Sequence, residues 1–578
     1  MSLTGSLRIG NSALLASQVA IQTAGNNMAN AATPGYSRQI TDLSAIAGQR
    51  SGNTANPGRG VQVADVRRYV DDAVTRRLQR AISQEAYNSQ GVDMLDRIET
   101  VLNELTEFDL SSELSTFFNN WSERANLVQS SASVVQGGEK IAQFVRQLNQ
   151  DLGSMRGQVD EQLAQAVSQA DDLMSQVAQL NREISHAEAG SSRANTLRDR
   201  RDETLAELSQ YFELSTYEQT DGTVDVLVDS IPVVMGGTSR GIGLEQETVN
   251  DQVELRVRLK HDGTEMTQPG ALIGALLEGR EDTLNTVIGQ LDQVTQQLIF
   301  ETNKLHATGT NLDGLTHATS TLVVSGTDRE LSLADASNAS IADLPFDVKN
   351  GGFYIHVTNQ STGITNQIRI DIDLDNITDA GGQGSDDDTS VDDIIAAINT
   401  IDGVSAGYNA AGQFEVSADT GFSFAFADDS SNVLAVLGVN SFFKGTNASS
   451  IGVRNDLLEE PSKLVTGKLE NGEFVENGTA LGIAQLGSQT LETLGGESIR
   501  SHWLNAVSGV AVSADSARVR AEASSIVRES VQNQRDAISG VNLDEEAIDL
   551  LTYQRQYQAG ARFISVVDQL TQELISLI

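Results

Sequence analysis

Apolar residues follow a helical spacing over a long stretch of the chain that contains no proline. Between Ile141 and Ile184 they alternate steps of four and three, with one four–four step between Val159 and Leu163. This spacing predicts a long helix that packs as a coiled coil, with a stutter at the four–four step. The predicted seam consists of Ile141, Val145, Leu148, Leu152, Met155, Val159, Leu163, Ala166, Ala170, Leu173, Val177, Leu180 and Ile184.

Other segments carry shorter helical patterns. No proline lies between residues 58 and 231 or after 461, which permits long helices there. Together these segments predict an elongated α-helical bundle built from separated pieces of the chain. The patterned residues are Val74, Leu78, Ala81, Val92, Leu95, Ile98, Leu102 and Leu105 in one run, Leu284, Leu291, Leu298 and Leu305 with Val287 and Val294 in the next, and an Ala/Ser-rich run after about 480 that includes Val531 and Ile538.

Two segments change from helical spacing to the alternation that is typical of strands. Residues 211–260 alternate apolar and polar positions between glycine-rich turns, and residues 321–450 do so again around one helical stretch, Val391 to Ile398. The chain is therefore predicted to be an α+β multidomain protein, with two mainly-β domains inserted into the helical bundle. Its length, 578 residues, suits several domains.

These patterns predict four parts. Residues 1–40 with 541–578 form a terminal coiled-coil assembly domain, and residues 41–210, 268–320 and 460–540 form the helical body. Residues 211–267 form the first inserted β domain, and residues 321–459 form a second, acidic β-rich insert.

Composition narrows the possible partners. The net charge of −40, from 39 Lys+Arg and 79 Asp+Glu, argues against nucleic acid, because phosphate binding needs a basic surface. The chain has no Cys, so disulfides and thiolate metal sites are excluded. Aromatic residues make up 5%, which favours long helices with glycine-punctuated β segments over one large aromatic core.

The charge is unevenly distributed. Residues 321–450 hold 19 acidic and 4 basic residues, whereas residues 1–40 hold no acid, and the last 38 residues hold six acids and two arginines. Both ends carry apolar seams, so the terminal helices are expected to pack on each other or with other subunits; alternatively, both cap a core of one chain. The seams are Leu3, Leu7, Gly10, Leu14, Ser17, Ile21, Ala24 and Met28, then Phe563, Val567, Leu570, Leu574 and Leu577, continued upstream by Leu543, Leu550, Tyr557 and Ile564.

Motifs for catalysis and metal binding are not found. The six histidines form no pair at helical spacing, and phosphate-loop, nucleophile-elbow and dinucleotide signatures are missing. The Asp371–Asp375 alternation, near Asp379 and the Asp386–Asp388 run, has the alternating carboxylates that open a calcium loop, but such a loop needs Gly and Glu at its sixth and twelfth positions, which here are Asn376 and Gly382. A strand with Asp on its wet face is the preferred interpretation. We therefore expect no enzyme activity, no metal and no cofactor.

Targeting signals are equally sparse. No run of 18 apolar residues occurs, so no membrane insertion is expected. The N-terminus lacks the pattern of a cleaved secretory signal. The expected location is the cytoplasm, or the exterior by a route that reads no cleaved signal.

Both ends carry strings that resemble a known group. Asn26-Asn-Met-Ala-Asn-Ala-Ala-Thr-Pro-Gly-Tyr-Ser-Arg-Gln39 resembles the N-terminal signature of bacterial flagellar rod, hook and hook-associated proteins. Val541-Asn-Leu-Asp-Glu-Glu-Ala547, followed by Tyr553-Gln554, Tyr557-Gln-Ala559 and Ala561-Arg562, resembles the C-terminal signature. Gly560 departs from that signature. The signature turn is expected at Asn30, Thr33, Pro34, Gly35 and Tyr36, with Pro and Gly placed as in a type II turn.

The resemblance implies a non-enzymatic structural subunit of the flagellum. The Ser37-Arg38-Gln39 string, the Asp-Glu-Glu string and the length resemble the hook-associated branch that forms a ring at the hook–filament junction. The implied partners are identical subunits, the hook protein, hook-associated protein 3 and a flagellar export chaperone, with secretion through the flagellar type III apparatus. Another axial subunit of hook or filament type is the nearer alternative, and a secreted adhesin the weaker one, because it leaves both terminal signatures unexplained.

The terminal seams supply a hypothesis for assembly. Each seam carries about five large apolar groups, and isolated helices of this length are marginal in water. We therefore expect both ends to be largely unfolded in the monomer and to fold together on assembly. The predicted assembly interface is Leu3, Leu7, Leu14, Ile21, Met28, Leu543, Leu550, Tyr557, Phe563, Ile564, Val567, Leu570, Leu574 and Leu577.

Overall fold

The computed structural model describes residues 3–47, 58–103, 109–127, 129–190, 193–249, 252–375, 377 and 388–576. Along the chain, long helices at both ends and in the middle alternate with segments that form small antiparallel sheets. The helices are α1 (Leu3–Ala29), α2 (Asp72–Leu102), α3 (Leu110–Ala125), α4 (Ser131–Glu188), α5 (Asn195–Tyr211), α6 (Ala271–Glu278), α7 (Asn285–Ala307), α8 (Val391–Ile398), α9 (Val433–Leu437), α10 (Asn455–Glu459), α11 (Gly478–Leu486), α12 (Ile499–Ser539) and α13 (Leu543–Ser576).

The strands fall largely in the segments whose sequence alternates. Those up to residue 259 are β1 (Gln39–Ala45), β2 (Val61–Arg68), β3 (Leu214–Glu218), β4 (Val224–Val228), β5 (Ile231–Met235), β6 (Thr238–Ser239), β7 (Ile242–Val249) and β8 (Gln252–Leu259). The later strands are β9 (Gly309–Thr310), β10 (His317–Val323), β11 (Gly351–Asn359), β12 (Ile364–Ile372), β13 (Val404–Tyr408), β14 (Gln413–Ala418), β15 (Phe422–Ala427), β16 (Phe443–Lys444), β17 (Gly452–Val453), β18 (Gly467–Glu470) and β19 (Glu473–Val475).

Every pairing between these strands is antiparallel. The first insert contains the sheet β3-β4-β5-β6 and the hairpin β7-β8. The second contains the sheet β12-β11-β15 and most of the sheet β10-β14-β13, whose strand β10 begins before the insert at His317. The hairpin β1-β2, the pair β16-β17 and the sheet β19-β18-β9 complete the set among the described residues. The prediction of an α+β multidomain protein is confirmed. The boundaries of the four predicted domains stay predictions.

The chain divides into two compact units. Unit 1 contains Met1–Met94, Gln158–Glu281 and Ala514–Ile578, and therefore both chain ends and the first insert. Unit 2 contains Leu95–Gly157 and Asp282–Ser513, and therefore the second insert. No helix among the described residues is long and apolar enough to cross a lipid bilayer.

The long helix predicted from the four–three seam is α4. Twelve of the thirteen predicted seam residues are at most 7% exposed, the exception being Leu173, which is half-buried. Met174, which is fully buried, takes the place of Leu173 in the seam. Two steps of four, from Ala166 to Ala170 and from Ala170 to Met174, therefore follow each other, which gives a second four–four step. A straight helix drifts against a seven-residue repeat, and such a step brings the seam back to the same side.

The other helical runs also form helices, with one difference. The run from Val74 to Leu102 lies in α2, whereas Leu105 lies outside the described residues. The predicted run from Leu284 does not start as an α-helix, because a π-helical turn, Gly279–Leu284, joins α6 to α7. Its Gly279 lets the backbone pass close to Met94, since an added Cβ would lie 2.9 Å from Met94 Cε.

The few aromatic residues of the chain are concentrated locally. In unit 2, the rings of Phe442 and Phe443 lie 4.8 Å apart, and those of Phe442 and Trp121 lie 5.2 Å apart. Phe117 completes this aromatic core, and all four side chains are at most 1% exposed. The expectation drawn from the low aromatic content needs this correction: 5% is enough for an aromatic core when the rings come together from distant parts of the chain.

Candidate assembly site formed by the two chain ends

The two ends of the chain meet as α1 and α13, which pack against each other within unit 1. The contact depends on two glycines. A Cβ added to Gly10 would lie 2.6 Å from Ile564 Cγ1, and one added to Gly560 would lie 3.2 Å from Leu14 Cδ2. Gly560, which departs from the signature, is one of the few buried residues of α13, so its missing side chain serves close packing.

The predicted interface residues are buried to very different degrees. Val567 is buried, at 4% exposure, and six others are half-buried: Leu3, Leu7, Leu14, Ile21, Leu550 and Ile564. Another six are exposed: Met28, Leu543, Tyr557, Phe563, Leu570 and Leu574. Leu577 lies outside the described residues.

Small side chains form the buried face of α1. The buried residues of this helix are Gly10, Ala16, Ser17, Ala20, Ala24 and Asn27. The hairpin β1-β2 packs on α1 as well, so the helix is covered by the hairpin and by α13. The large leucines of the predicted N-terminal seam therefore lie at the margin of these contacts.

One face of α13 stays uncovered in the single chain. Its only buried residues are Glu546, Gly560 and Val567, although the helix is 34 residues long. Six of its exposed apolar residues are here called the outer stripe, and they are Ile548, Leu551, Phe563, Val566, Leu570 and Leu574, each at least 43% exposed. Phe563 lies at the edge of the contact with α1, because its Cδ1 would be 3.1 Å from a Cβ added to Gly10. Phe563, Val566, Leu570 and Leu574 recur at steps of three and four, and exposed apolar surface of this kind marks an interaction site in a soluble protein.

Asn27 joins the N-terminal signature to the C-terminal one. This side chain is 1% exposed, and its Nδ2 donates to the Gln39 carbonyl at 2.8 Å and to Glu546 Oε2 at 3.0 Å. Its Oδ1 accepts from the Gln39 amide at 2.9 Å and from the Tyr36 hydroxyl at 2.8 Å. The amide thereby uses all of its hydrogen-bonding capacity. We call Asn27, Tyr36, Arg38, Gln39 and Glu546 the signature clasp.

Arg38 binds three carboxylates in the first turns of α13. Its Nε donates to Glu546 Oε1 at 2.6 Å, and its Nη1 donates to Glu545 Oε2 at 2.9 Å. Its Nη2 donates to Asp549 Oδ2 at 3.3 Å. Burial lowers the pKa of Arg38, but the Glu546 hydrogen bond and the three negative charges outweigh it, so the pKa is raised overall. The N-terminal end, which has no acid, and the acidic C-terminal end are thus joined by ion pairs between Arg38 and these three carboxylates.

The hydroxyl of Tyr36 is held in its protonated form. Burial, followed by the negative charges of Asp199 and Glu546, raises the pKa of Tyr36 to about 12. At neutral pH the hydroxyl therefore carries the proton that it donates to Asn27 Oδ1. Glu546 itself is 2% exposed and receives hydrogen bonds from both Asn27 and Arg38, which compensates its burial.

The signature turn follows α1 directly. Gly35 has a φ of 73°, and the Tyr36 amide donates to the Thr33 carbonyl at 3.3 Å, with Pro34 between them. This is the arrangement of a type II turn, in which the third residue needs a positive φ. Asn30 follows the last residue of α1 and has no positive φ. Its Nδ2 donates to the Asn26 carbonyl at 2.9 Å, which satisfies an acceptor at the helix end.

Two aspartates of α5 hold the segment that follows the turn. The Ser37 amide donates to Asp199 Oδ2 at 3.4 Å. Arg68 on β2 binds Asp199 at 2.9 Å and Asp202 at 2.7 Å. Burial raises the pKa of Asp199 more than its bonds to Arg68 and Ser37 lower it. The clasp is therefore anchored to the rest of unit 1 through α5 and the hairpin.

Sequence reasoning missed the polar members of the clasp as site residues. Asn27, Arg38 and Glu546 lie inside the strings that carried the family resemblance, but the predicted interface was drawn from apolar spacing alone. One signal was available: Arg38 is one of two charged residues in the first 40, and the Asp-Glu-Glu string is its natural counterpart.

The acidic stretch considered as a calcium loop is only partly described. Asp371 lies on the exposed face of β12. The carboxylates of Asp373, Asp375 and Asp388 lie within 4.8 Å of one another. Asp379, Asp386 and Asp387 lie outside the described residues. Exposed carboxylates cluster often in so acidic a chain, and this group carries no assignment here.

Comparison with known proteins gives matches in both the body and the C-terminal region. Residues 95–319 match the family described as "Flagellar hook-associated protein FlgK helical domain". Residues 532–577 match "Flagellar basal body rod FlgEFG protein C-terminal", a segment that contains α13. The solved structure of the flagellar hook junction protein FlgK from Burkholderia pseudomallei is 15% identical, with a TM-score of 0.47 over 80% of this chain and 100% of that chain.

Curated relatives align over nearly the whole length. Flagellar hook-associated protein 1 of Escherichia coli (strain K12) is 24% identical over 98% of both chains, and that of Salmonella typhimurium is 24% identical over the same shares. The Bacillus subtilis protein of the same name is 22% identical over 63% of this chain and 79% of its own. The domain match, the full-length alignments and the terminal signatures agree: over nearly its whole length the chain is similar to flagellar hook-associated protein 1.

Proposed function

We propose that this chain is a structural, non-enzymatic subunit of the bacterial flagellum that forms the junction between hook and filament. The alignment over 98% of two relatives named flagellar hook-associated protein 1 supports this role. The observation that assigns this role to particular residues is the exposure of the outer stripe of α13. The stripe stays uncovered although both ends of the chain are folded together. A hook or filament subunit that polymerises in bulk is not favoured, because the relatives that align over 98% of this chain are named flagellar hook-associated protein 1.

The assembly site consists of the α1–α13 pair. In this proposal the outer stripe packs against neighbouring subunits, which removes its apolar residues from water at about 25 cal/mol per Å². The signature clasp fixes α13 relative to α1, so the stripe is presented in one register. Identical subunits then close a ring, with the hook protein on one side and hook-associated protein 3 on the other.

The terminal pair is proposed to open in the free subunit and to become stable on assembly. Three buried residues on a 34-residue helix give little packing energy within one chain. Regions with few buried contacts are those that unfold locally in a native protein. An open terminus suits export through the flagellar type III apparatus, and a chaperone that covers the outer stripe before export would prevent premature assembly in the cell.

Charged substitutions in the outer stripe test this function. A strain lacking the chain is complemented with the Leu570→Asp/Leu574→Asp variant, and filaments are counted by electron microscopy. We expect hooks without filaments and flagellin in the medium, because two carboxylates would have to be buried between subunits. Circular dichroism checks that the purified variant keeps its helical content.

The matched control introduces the same charge beside the stripe. Gln558→Asp/Gln569→Asp alters two exposed positions of α13 and should leave filament number unchanged. Normal filaments in the leucine variant would remove the outer stripe from the assembly interface.

A further inference from the structure

The side of α12 that faces away from α2 carries a row of carboxylates. Asp515, Glu522 and Glu529 recur every seven residues within unit 1, and all three are exposed. The opposite side of α12 contacts α2, where Val531 packs with Val74 and Leu78. We call the three carboxylates the acidic ridge. Arg518 lies on the same side of the helix and takes part in an interaction as well.

An apolar seam runs beside the acidic ridge. Val519 is 63% exposed and Ile526 is 61% exposed, one heptad apart. The positions between and after them are small, with Ala523 and Ser530 completing steps of four and three. A helix can approach such a seam closely, as in a coiled coil. A surface that combines this seam with one acidic flank selects a partner helix that has basic residues.

The matching charge lies on the back of α2. Arg76 and Arg80 are exposed, one helical turn apart, on the side of α2 opposite Val74 and Leu78. Among the described residues no ion pair of either arginine is recorded. Arg77 stands at the edge of the row and donates to Gln534 of α12 at 3.3 Å. In a chain of net charge −40, three arginines within five residues form a local basic row.

The ridge and the basic row cannot meet within one chain. They lie on opposite outer sides of the same α2–α12 pair, whose inner sides are joined by Val531 and by the Arg528–Glu85 ion pair at 2.7 Å. Their spacings are compatible: Glu522 and Glu529 are about 10 Å apart along the axis, and Arg76 and Arg80 about 6 Å, a difference that flexible arginine side chains can span.

We propose that the basic row of α2 docks on the acidic ridge and apolar seam of α12 in a second copy of this chain. The inference rests on the proposed function, since it supplies the side-by-side contact of a subunit that assembles with itself. Because the two surfaces differ, the contact is heterologous: each copy uses its α2 towards one neighbour and its α12 towards the other. Such contacts generate rings or helical turns, whereas a self-complementary surface stops at a dimer.

Disulfide trapping tests the contact without cross-links from other cysteines, because the natural chain has no Cys. The full-length Arg80→Cys/Glu529→Cys variant is oxidised in 20 mM salt and analysed by non-reducing electrophoresis. The proposal predicts a ladder of dimers, trimers and larger species. It also predicts that each single-Cys variant stops at dimers, and that the ladder falls about tenfold in 0.5 M salt, where charges are screened.

A matched pair and charge reversal complete the test. Arg8→Cys/Glu529→Cys uses an exposed arginine outside the row and should give no ladder. Arg76→Glu/Arg80→Glu should lower incorporation into flagella at least tenfold, and Glu522→Arg/Glu529→Arg in the same chain should restore it. The charge control Arg97→Glu/Arg500→Glu, at exposed positions of the same two helices, should incorporate normally.

The outcomes separate this contact from the proposed function. If the outer-stripe variant fails to incorporate while charge reversal has no effect and the Cys pair gives no ladder, the function stands and the contact is wrong. A ladder that forms equally with Arg8→Cys also overturns it. If the strain that lacks the chain still bears normal filaments, the proposed function fails, and the ladder of the purified chain still decides the contact.

Discussion

In unit 2, Phe117, Trp121 and Phe442 are at most 1% exposed, whereas the six residues of the outer stripe in unit 1 are at least 43% exposed. Both regions hold large apolar side chains. The aromatic core covers them with other parts of the same chain, and its rings lie 4.8 to 6.4 Å apart in edge-on or tilted contacts. The terminal pair buries mainly small residues together with Val567, and its other large apolar residues stay half-buried or exposed.

This difference shows two ways in which one chain uses apolar residues. The aromatic core gives unit 2 stability that does not depend on partners. In the terminal pair, polar bonds of the signature clasp fix the register, and glycines allow close approach, but apolar burial is incomplete. Stability there is expected to depend on assembly, as it does for subunits that have little core of their own.

Removal of a core ring should have the largest effect. Phe442→Ala empties a site that is 0% exposed and touches Phe117, Trp121 and Phe443. We expect the free energy of unfolding of unit 2 to fall by about 3–5 kcal/mol. Denaturant unfolding followed by tryptophan fluorescence reports this unit alone, since Trp121 and Trp503 both belong to it. Loss below 1 kcal/mol would mean that the aromatic core contributes little.

Acid should weaken unit 2 through His306. Burial lowers the pKa of this histidine to about 3, despite a hydrogen bond between its Nδ1 and the Asn440 carbonyl. The unfolded chain binds a proton near pH 6.5, so the stabilisation is complete above that pH and is lost as the pH falls towards 3. Between pH 7 and 4.5 we expect a loss of about 2–3 kcal/mol. The His306→Gln variant should show a flatter pH profile, and an unchanged profile would contradict this role.

Opening the signature clasp should affect the terminal pair and spare the aromatic core. Arg38→Met leaves Glu546 buried without its guanidinium partner, which costs about 2 kcal/mol. We expect faster hydrogen exchange of the amides in α1 and α13, with unchanged tryptophan-detected unfolding of unit 2. Arg8→Met, at an exposed arginine of α1, is the control. Equal effects of the two variants would show that the clasp does not hold the pair.

The smallest effects should come from two glycines of α1. Gly10→Ala places a Cβ 2.6 Å from Ile564 Cγ1 and should destabilise the terminal pair by about 1–2 kcal/mol. Gly25→Ala meets nothing within 4 Å and should stabilise the helix by about 0.5–1 kcal/mol. Hydrogen exchange of α1 measures both. Stabilisation by Gly10→Ala would rule out the close helix contact.

The sequence predicted the helices and sheets better than the contacts between distant segments. The seam of α4 could be predicted because twelve positions share one spacing. Met174 is buried in place of Leu173 because a straight helix drifts against a seven-residue repeat. The aromatic core could not, because Trp121 and Phe442 are separated by over 300 residues and share no periodicity. The clasp was hidden for a related reason: the bonds of Asn27 depend on its exact position at the helix end, whereas apolar spacing says nothing about single polar residues.

Hydrogen exchange of α13, in the free chain and in assembled flagella, tests the central claim most directly. The account predicts that amides between Ile548 and Leu574 exchange much faster in the free chain than those of α7 in the core of unit 2. In assembled flagella the α13 amides should become at least a hundredfold slower, because neighbouring subunits cover the outer stripe. Equal protection of α13 and α7 in the free chain, with no gain on assembly, would contradict the account.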